Sequence, residues 1–341
     1  MTLPQGFTIR PAHSADLEAM CTLGREYQQA AYGEVDLTLL DLRTLCLAPT
    51  FTMAEQVRLV FDMDGRMVYV AYFEQQAHIR YSITLDVLPG YENAGVRAYL
   101  MALGEAWARQ EMVKAPAQAC TFLRTWVSAR DRAVTTWFGA QQDFAEVRRF
   151  WEMQIELRAA PPTVRWPQGV QLRPFDPERT SRAVFEADEE MFRDHWGHLP
   201  QDYSTWRHWT VERADFDPAL WFVACAGERI VGLALCRDGA KGWVDTLGVV
   251  RAWRGRGLGL ALLQHTFGAF SRRGRQRVGL GVDSQSLTGA PRLYERAGMH
   301  IAQESVIYEK ELRPGIDLSV RTLADQRALE SEKIGNLREI R

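Results

Sequence analysis

No run of about 18 apolar residues occurs in this chain, which excludes a membrane-spanning helix. An excess of one charge is missing too: 41 Lys and Arg against 43 Asp and Glu leave a net charge of −2. Basic segments interleaved with aromatics are also absent, so nothing draws the chain to nucleic acid or an acidic membrane surface. Cys-x-x-Cys pairs are lacking. The five cysteines (Cys21, Cys46, Cys120, Cys225 and Cys236) are scattered and odd in number, as reduced thiols of a cytoplasmic protein would be. The opening Met1-Thr-Leu-Pro-Gln-Gly has no charged region followed by an apolar core, so it does not read as a secretory signal.

What is present is a repeat. With 46% apolar and 25% charged residues over 341 positions, the composition is that of a soluble chain with room for two domains. Phe7-Thr-Ile-Arg-Pro11 is an alternating strand start leading into an acidic helix start, and Val170-Gln-Leu-Arg-Pro174 does the same 163 positions later. Met153-Gln-Ile-Glu-Leu157 and Tyr308-Glu-Lys-Glu-Leu312 close the two halves alike. An internal duplication follows. The proline-rich stretch between them predicts a domain of residues 1–157, a linker of 158–169, a second domain of 170–312 and a polar tail of 313–341.

The chemistry concentrates between Leu247 and Leu260. Val244 to Val250 reads as a buried strand, and a glycine-rich turn leads from it into the helical stretch that opens at Leu258. Gly255, Gly257 and Gly259 let the backbone approach a ligand closely, and a helix N-terminus favours an anion. Arg254 and Arg256 would add charge-assisted hydrogen bonds to a phosphate or pyrophosphate. The turn lacks the Gly-Lys-Ser/Thr of a Walker loop, its Gly-x-Gly-x-Gly spacing differs from the dinucleotide fingerprint, and about 20 residues on the next strand offers Gly279-Leu280 in place of an acidic residue.

Arg254-Gly-Arg-Gly257-Leu-Gly259 resembles the pyrophosphate loop of the GNAT superfamily of acyl-CoA-dependent N-acetyltransferases, Gln/Arg-x-x-Gly-x-Gly/Ala. The strand Val278-Gly-Leu-Gly-Val-Asp283 follows, and Ala290-Pro-Arg-Leu-Tyr294-Glu-Arg-Ala-Gly298-Met299 is similar to that family's Ala-x-x-x-Tyr-x-x-x-Gly-Phe segment. The resemblance implies an α/β fold of two tandem GNAT-type domains, each a mostly antiparallel twisted sheet flanked by helices. It further implies acetyl-CoA as cosubstrate, with Leu247, Gly248 and Val249 pairing with its pantetheine arm. A backbone N–H near Val249 would polarise the thioester. Arg254, Gly255, Arg256, Gly257, Leu258, Gly259 and Leu260 would hold the pyrophosphate, and Tyr294 would protonate the leaving thiolate. Trp243 stands where many relatives carry a catalytic carboxylate. Asp245, two residues on, becomes the candidate base by strand alternation, with Glu189, Glu190 and Asp283 behind it. Ser286 departs from the asparagine usual in relatives.

The loop Asp194 to Pro200 is expected to border the acceptor. Its histidines, with His208, lack a carboxylate or thiolate at ligand spacing, so no metal is expected. In the first copy the loop from Leu88 to Gly95 has no arginine and carries Glu92, and the segment Ala133 to Ala140 has no tyrosine. That copy reads as a degenerate GNAT domain that shapes the other's substrate pocket. The tandem layout is similar to the mycothiol synthase family, in which a glutamate stands at the Trp243 position. The resulting expectation is a cytoplasmic N-acetyltransferase, monomer or homodimer, acting in a ternary complex on the primary amine of a small polar molecule such as an amino sugar. The other reading is a CoA-binding sensor without transfer, against which Tyr294 beside an intact loop speaks.

Overall fold

The computed structural model describes residues 1–158 and 163–319. The expected tail lies, from residue 320 onward, outside the described residues. The first repeat runs β1 (Thr8–Pro11), α1 (Leu17–Tyr32), α2 (Leu39–Cys46), α3 (Met53–Gln56), β2 (Val57–Phe61), β3 (Met67–Gln76), β4 (Arg80–Val87), α4 (Ala94–Glu111), β5 (Thr121–Ser128), α5 (Arg132–Gly139) and β6 (Ala145–Glu156). The second runs β7 (Val170–Arg173), α6 (Ser181–Phe192), α7 (Tyr203–Trp209), β8 (Trp221–Ala226), β9 (Arg229–Asp238), β10 (Gly242–Val249), α8 (Leu258–Arg272), β11 (Arg277–Asp283), α9 (Ala290–Arg296) and β12 (His300–Arg313).

The compact units do not follow the boundary expected at 158–169. One comprises residues 1–149 with 303–317, and residues 150–302 belong to the other. In the first, β1 to β5 form a sheet whose far edge is taken by residues 305–313 of β12, antiparallel to β5. In the second, β7 to β11 are completed by residues 150–156 of β6, antiparallel to β11. Each sheet therefore takes its last strand from the other repeat. The two closing strands look alike in sequence, which is why the exchange does not show there.

In both units one neighbouring pair is parallel and short. β4 pairs with β5 only over Arg80–Ser82, and β10 with β11 only over Gly242–Val244. Beyond Leu280 the strands of the second unit separate, although β10 continues to Val249. A bulge between Val244 and Thr246 inserts Asp245 at that point. The alternation is broken beyond it, while Asp245 itself bonds Arg237, the residue paired with Trp243. A Cβ on Gly242 would meet Phe270 of α8, whereas one on Gly248, six residues on, would meet Met191 of α6. In a regular strand these positions share a face. Gly232, paired with Val249, also lies under α8, against Leu258 and Leu262, so α6 and α8 cover opposite faces of the sheet.

Candidate active site

The separation of β10 from β11 leaves the β11-facing edge of residues 245–249 without a strand partner while β9 pairs the other edge. Two cavities open there. The larger, about 510 Å³, is lined by Leu247, Gly248 and Val249, by Arg254, Gly255 and Gly257 to Leu260 of the turn, and by Leu293, Tyr294 and Arg296 of α9. The smaller, about 200 Å³, is lined by Phe150, Phe192, His195, Trp196, Asp245, Asp283, Ser286 and Tyr294 among others. Of the residues expected to hold the donor, together with Tyr294 and Asp245, all but Arg256 line one or both, whereas Glu189, Glu190 and Trp243 line neither.

The turn has the conformation its glycines permit. Gly255 and Gly257 have φ of 75° and 83°, a region costly to other residues. A Cβ on either would meet nothing within 4 Å, so they front open space. Gly257 caps α8 without any side-chain acceptor, and the amides of Leu258, Gly259 and Leu260 have no acceptor within the helix. The corresponding turn of the first unit is closed on itself. Asn93 accepts from the N–H groups of Gly95 (2.9 Å) and Val96 (3.1 Å), Tyr69 Oη accepts from Asn93 N–H (2.7 Å), and Glu92 accepts from Gly90 N–H (3.1 Å).

The arginines are placed differently from expectation. Arg254 turns inward: its Nε donates to Val249 O (3.0 Å), Nη1 to Asp194 (2.7 Å) and Nη2 to Met191 O (3.1 Å). Arg251 donates to both Asp194 oxygens (2.9 and 2.6 Å). Arg254 thus ties the turn to the end of α6, and its hydrogen-bonding capacity is largely spent there. Arg256 lies over the Trp253 ring, 4.9 Å from its centroid. The cation left on the wall of the larger cavity is Arg296, which the sequence reading did not single out although it lies two residues after Tyr294 in the same segment.

Tyr294 is 7% exposed, and burial pushes its phenol up to about 12, so it is protonated at neutral pH. Asp245 receives Arg237 Nε on both carboxylate oxygens, at 2.9 and 2.8 Å. Burial raises its pKa against the pull of Arg237, yet the side chain remains 36% exposed, toward the smaller cavity. Lys241 pairs with Glu152 beside Trp243. His198 Nε2 lies 3.5 Å from Glu189, and Glu190 pairs with Arg229 at 2.9 Å; neither carboxylate lines a cavity. His195, in the Asp194 to Pro200 loop but given no catalytic role in the sequence reading, lines both cavities.

The model of the Acetyltransferase (GNAT) family matches residues 181–299, within the second repeat. A solved GCN5-related N-acetyltransferase from Sphaerobacter thermophilus is 35% identical, with a TM-score of 0.80, and covers 94% of this chain and 100% of that one. The chain belongs to the GNAT acetyltransferase family. Members of this family use acetyl-CoA as cosubstrate. Among curated relatives, the mycothiol acetyltransferase of Thermobispora bispora is 33% identical over 178 residues, 48% of this GNAT chain and 57% of the relative. That of Actinosynnema mirum is 30% identical over 231 residues, 66% and 73% of the respective lengths. The match spans little more than half of the first relative. A tandem GNAT protein from the clavulanic acid biosynthesis pathway shares the fold, with a TM-score of 0.68 at 14% identity over 91% of this chain and 100% of that one. No helix among the described residues of this GNAT chain is long and apolar enough to cross a membrane.

Proposed function

We propose that this chain transfers an acetyl group from acetyl-CoA to the primary amine of a small polar molecule, directly and with both substrates bound. The observation that carries the reading is the meeting of two cavities at Leu247 and Tyr294, one running to the glycine turn and the other closed by polar and aromatic side chains. The residues fit acetyl-CoA. The unpaired edge of Leu247 to Val249 offers backbone partners to a pantetheine amide, and a strand N–H there can polarise the thioester carbonyl. The uncapped start of α8 and the open space at Gly255 and Gly257 suit a pyrophosphate, with Arg296 supplying charge in place of Arg254. Tyr294, kept neutral by burial, can give its proton to the departing sulfur.

The smaller cavity supports an acceptor such as an amino sugar or a thiol-bearing derivative of one. Asp245, Asp283 and Ser286 provide acceptors for ammonium and hydroxyl groups, and Phe150, Phe192 and Trp196 provide apolar faces. The name shared by the curated relatives favours the same class.

Calorimetric titration of acetyl-CoA tests the donor half. One site per chain is expected, because the first unit's turn uses its Asn93, Gly95 and Val96 amides internally. Gly257→Ala, which must hold a φ of 83° at a cost of about 1–2 kcal/mol, should weaken binding by roughly 5- to 30-fold. Tyr294→Phe should bind acetyl-CoA as the wild type does and lose roughly 100-fold in turnover with glucosamine or N-cysteinyl-glucosamine. Two sites per chain would assign a donor site to the first unit. Binding without transfer by the wild type would favour the sensor reading.

A further inference from the structure

An amine that becomes an amide loses a proton, and the sulfur that leaves gains one. Tyr294 serves the second need, and the first needs an acceptor at the same junction. Four residues line both cavities: His195, Leu247, Ala290 and Tyr294. Only His195 and Tyr294 carry a titratable side chain. We propose that His195 is the catalytic base, taking the proton of the acceptor amine as its nitrogen bonds to the acetyl carbon. This assignment rests on the acetyl-transfer reading above.

The imidazole is held in place for this task. Its ring packs on Phe192 with centroids 4.2 Å apart. Its backbone N–H donates to Phe192 O at 2.9 Å, and its carbonyl accepts from His198 N–H at 3.0 Å. The preceding residue, Asp194, is clamped by Arg251 and Arg254, so the loop is anchored at its root. No hydrogen bond from a described residue occupies the ring nitrogens. Burial first, then the charges of Arg254 and His198, lower its pKa to about 4 against the opposing pull of Asp194, which leaves a neutral ring with a free lone pair at pH 7. A weak base suffices because the amine nitrogen becomes strongly acidic once it is bonded to the acetyl carbon. Asp245 lines only the smaller cavity, and both its oxygens accept from Arg237. It is better placed to hold the acceptor than to deprotonate it.

The step balances. The carbon–nitrogen bond forms and the carbon–sulfur bond breaks. The amine proton passes to His195, and the Tyr294 proton passes to sulfur. Exchange with solvent then restores both side chains.

The test is thiol release from acetyl-CoA with glucosamine as acceptor, in wild type, His195→Gln, His195→Ala and Asp245→Asn. His195→Gln should lower kcat about 100- to 1000-fold with the acetyl-CoA Kd unchanged by calorimetry. Added imidazole should restore His195→Ala about tenfold, since a free base can occupy the vacated space. Asp245→Asn should raise the glucosamine KM more than it lowers kcat. A His195→Gln kcat within about threefold of wild type, below any general-base contribution, overturns the assignment, as does a loss that tracks weakened acetyl-CoA binding and is not rescued. A wild type that binds acetyl-CoA and acetylates none of a panel of small amines overturns the transfer reading itself, before any variant is made.

Discussion

Asp194 is the residue through which the glycine turn after β10 and the segment after α6 are fastened together. It is 1% exposed, and a buried carboxylate with unmatched charge would be costly. Burial alone would raise its pKa, but hydrogen bonds and charges from Arg251 and Arg254 outweigh that and leave it at about 2, below the ordinary 3.8. A carboxylate whose folded pKa is depressed contributes stability that is complete above its unfolded value and is lost as pH falls through the folded one. Asp194→Asn should therefore cost about 2 kcal/mol at pH 7, and the difference from wild type should shrink between about pH 4 and pH 2. Urea unfolding of both proteins at pH 7 and in acid measures this, and an equal gap at both would show that the clamp does not stabilise through charge. Because Arg254 is one of the partners, the same substitution should loosen the turn and weaken acetyl-CoA binding.

At the scale of elements, the site depends on how closely α6 lies over β10. A Cβ on Gly248 would sit 2.7 Å from Met191 Sδ and 3.0 Å from Met191 Cβ. Gly248→Ala should push α6 outward at a cost of about 1–3 kcal/mol, carrying the Asp194–His195 segment with it. Pairing it with Met191→Ala should recover part of that loss in a double-mutant cycle of melting temperatures; additive losses would mean that the two do not press on each other. In the first unit the contact is reversed. Asp86 is the penultimate residue of β4, as Gly248 is of β10, and the glycine lies on the helix as Gly24, whose Cβ would come within 3.0 Å of Asp86 Oδ2. Burial holds the Asp86 carboxyl at about 7. Much at this scale was legible. The glycine turn and the strand that leads into it follow from local rules, because a left-handed φ or an apolar run is written in neighbouring residues, whereas Tyr294 was marked by the family resemblance alone. The bulge at Asp245 was not legible, since an aspartate in an extended strand looks the same whether or not its partner strand has one residue fewer. Nor was the spending of Arg254 on Asp194, an ion pair that spans 60 positions, or the convergence of His195 on Tyr294, which only the folded sheet brings about.

For the whole molecule, the exchange of final strands decides what can be separated. A fragment of residues 1–157 lacks the 303–313 strand that covers β5, and a fragment beginning at 163 lacks the 150–156 strand that covers β11. The missing strand of the first unit also removes Glu309, the ion-pair partner of buried Arg124, and Tyr308, which stacks on Phe138 at 5.0 Å. Each fragment expressed alone should aggregate or stay unfolded, while co-expression should return soluble protein with native circular dichroism. A well-folded, cooperatively melting fragment of residues 1–157 would show that the exchanged strand is dispensable.

The exchange also sets a timetable. Ribosomes add roughly 5–20 residues per second, and about 175 residues separate the end of β5 from the strand that covers it. The half of the protein made first is therefore the half that closes last. For roughly 10 to 35 s in each synthesis, the nascent chain carries an uncapped β5 edge, the kind of surface on which neighbouring chains on a polysome nucleate aggregates. A codon tract that slows the ribosome within the second repeat would lengthen that exposure, so synonymous changes there, which alter no residue, should change the yield of folded protein.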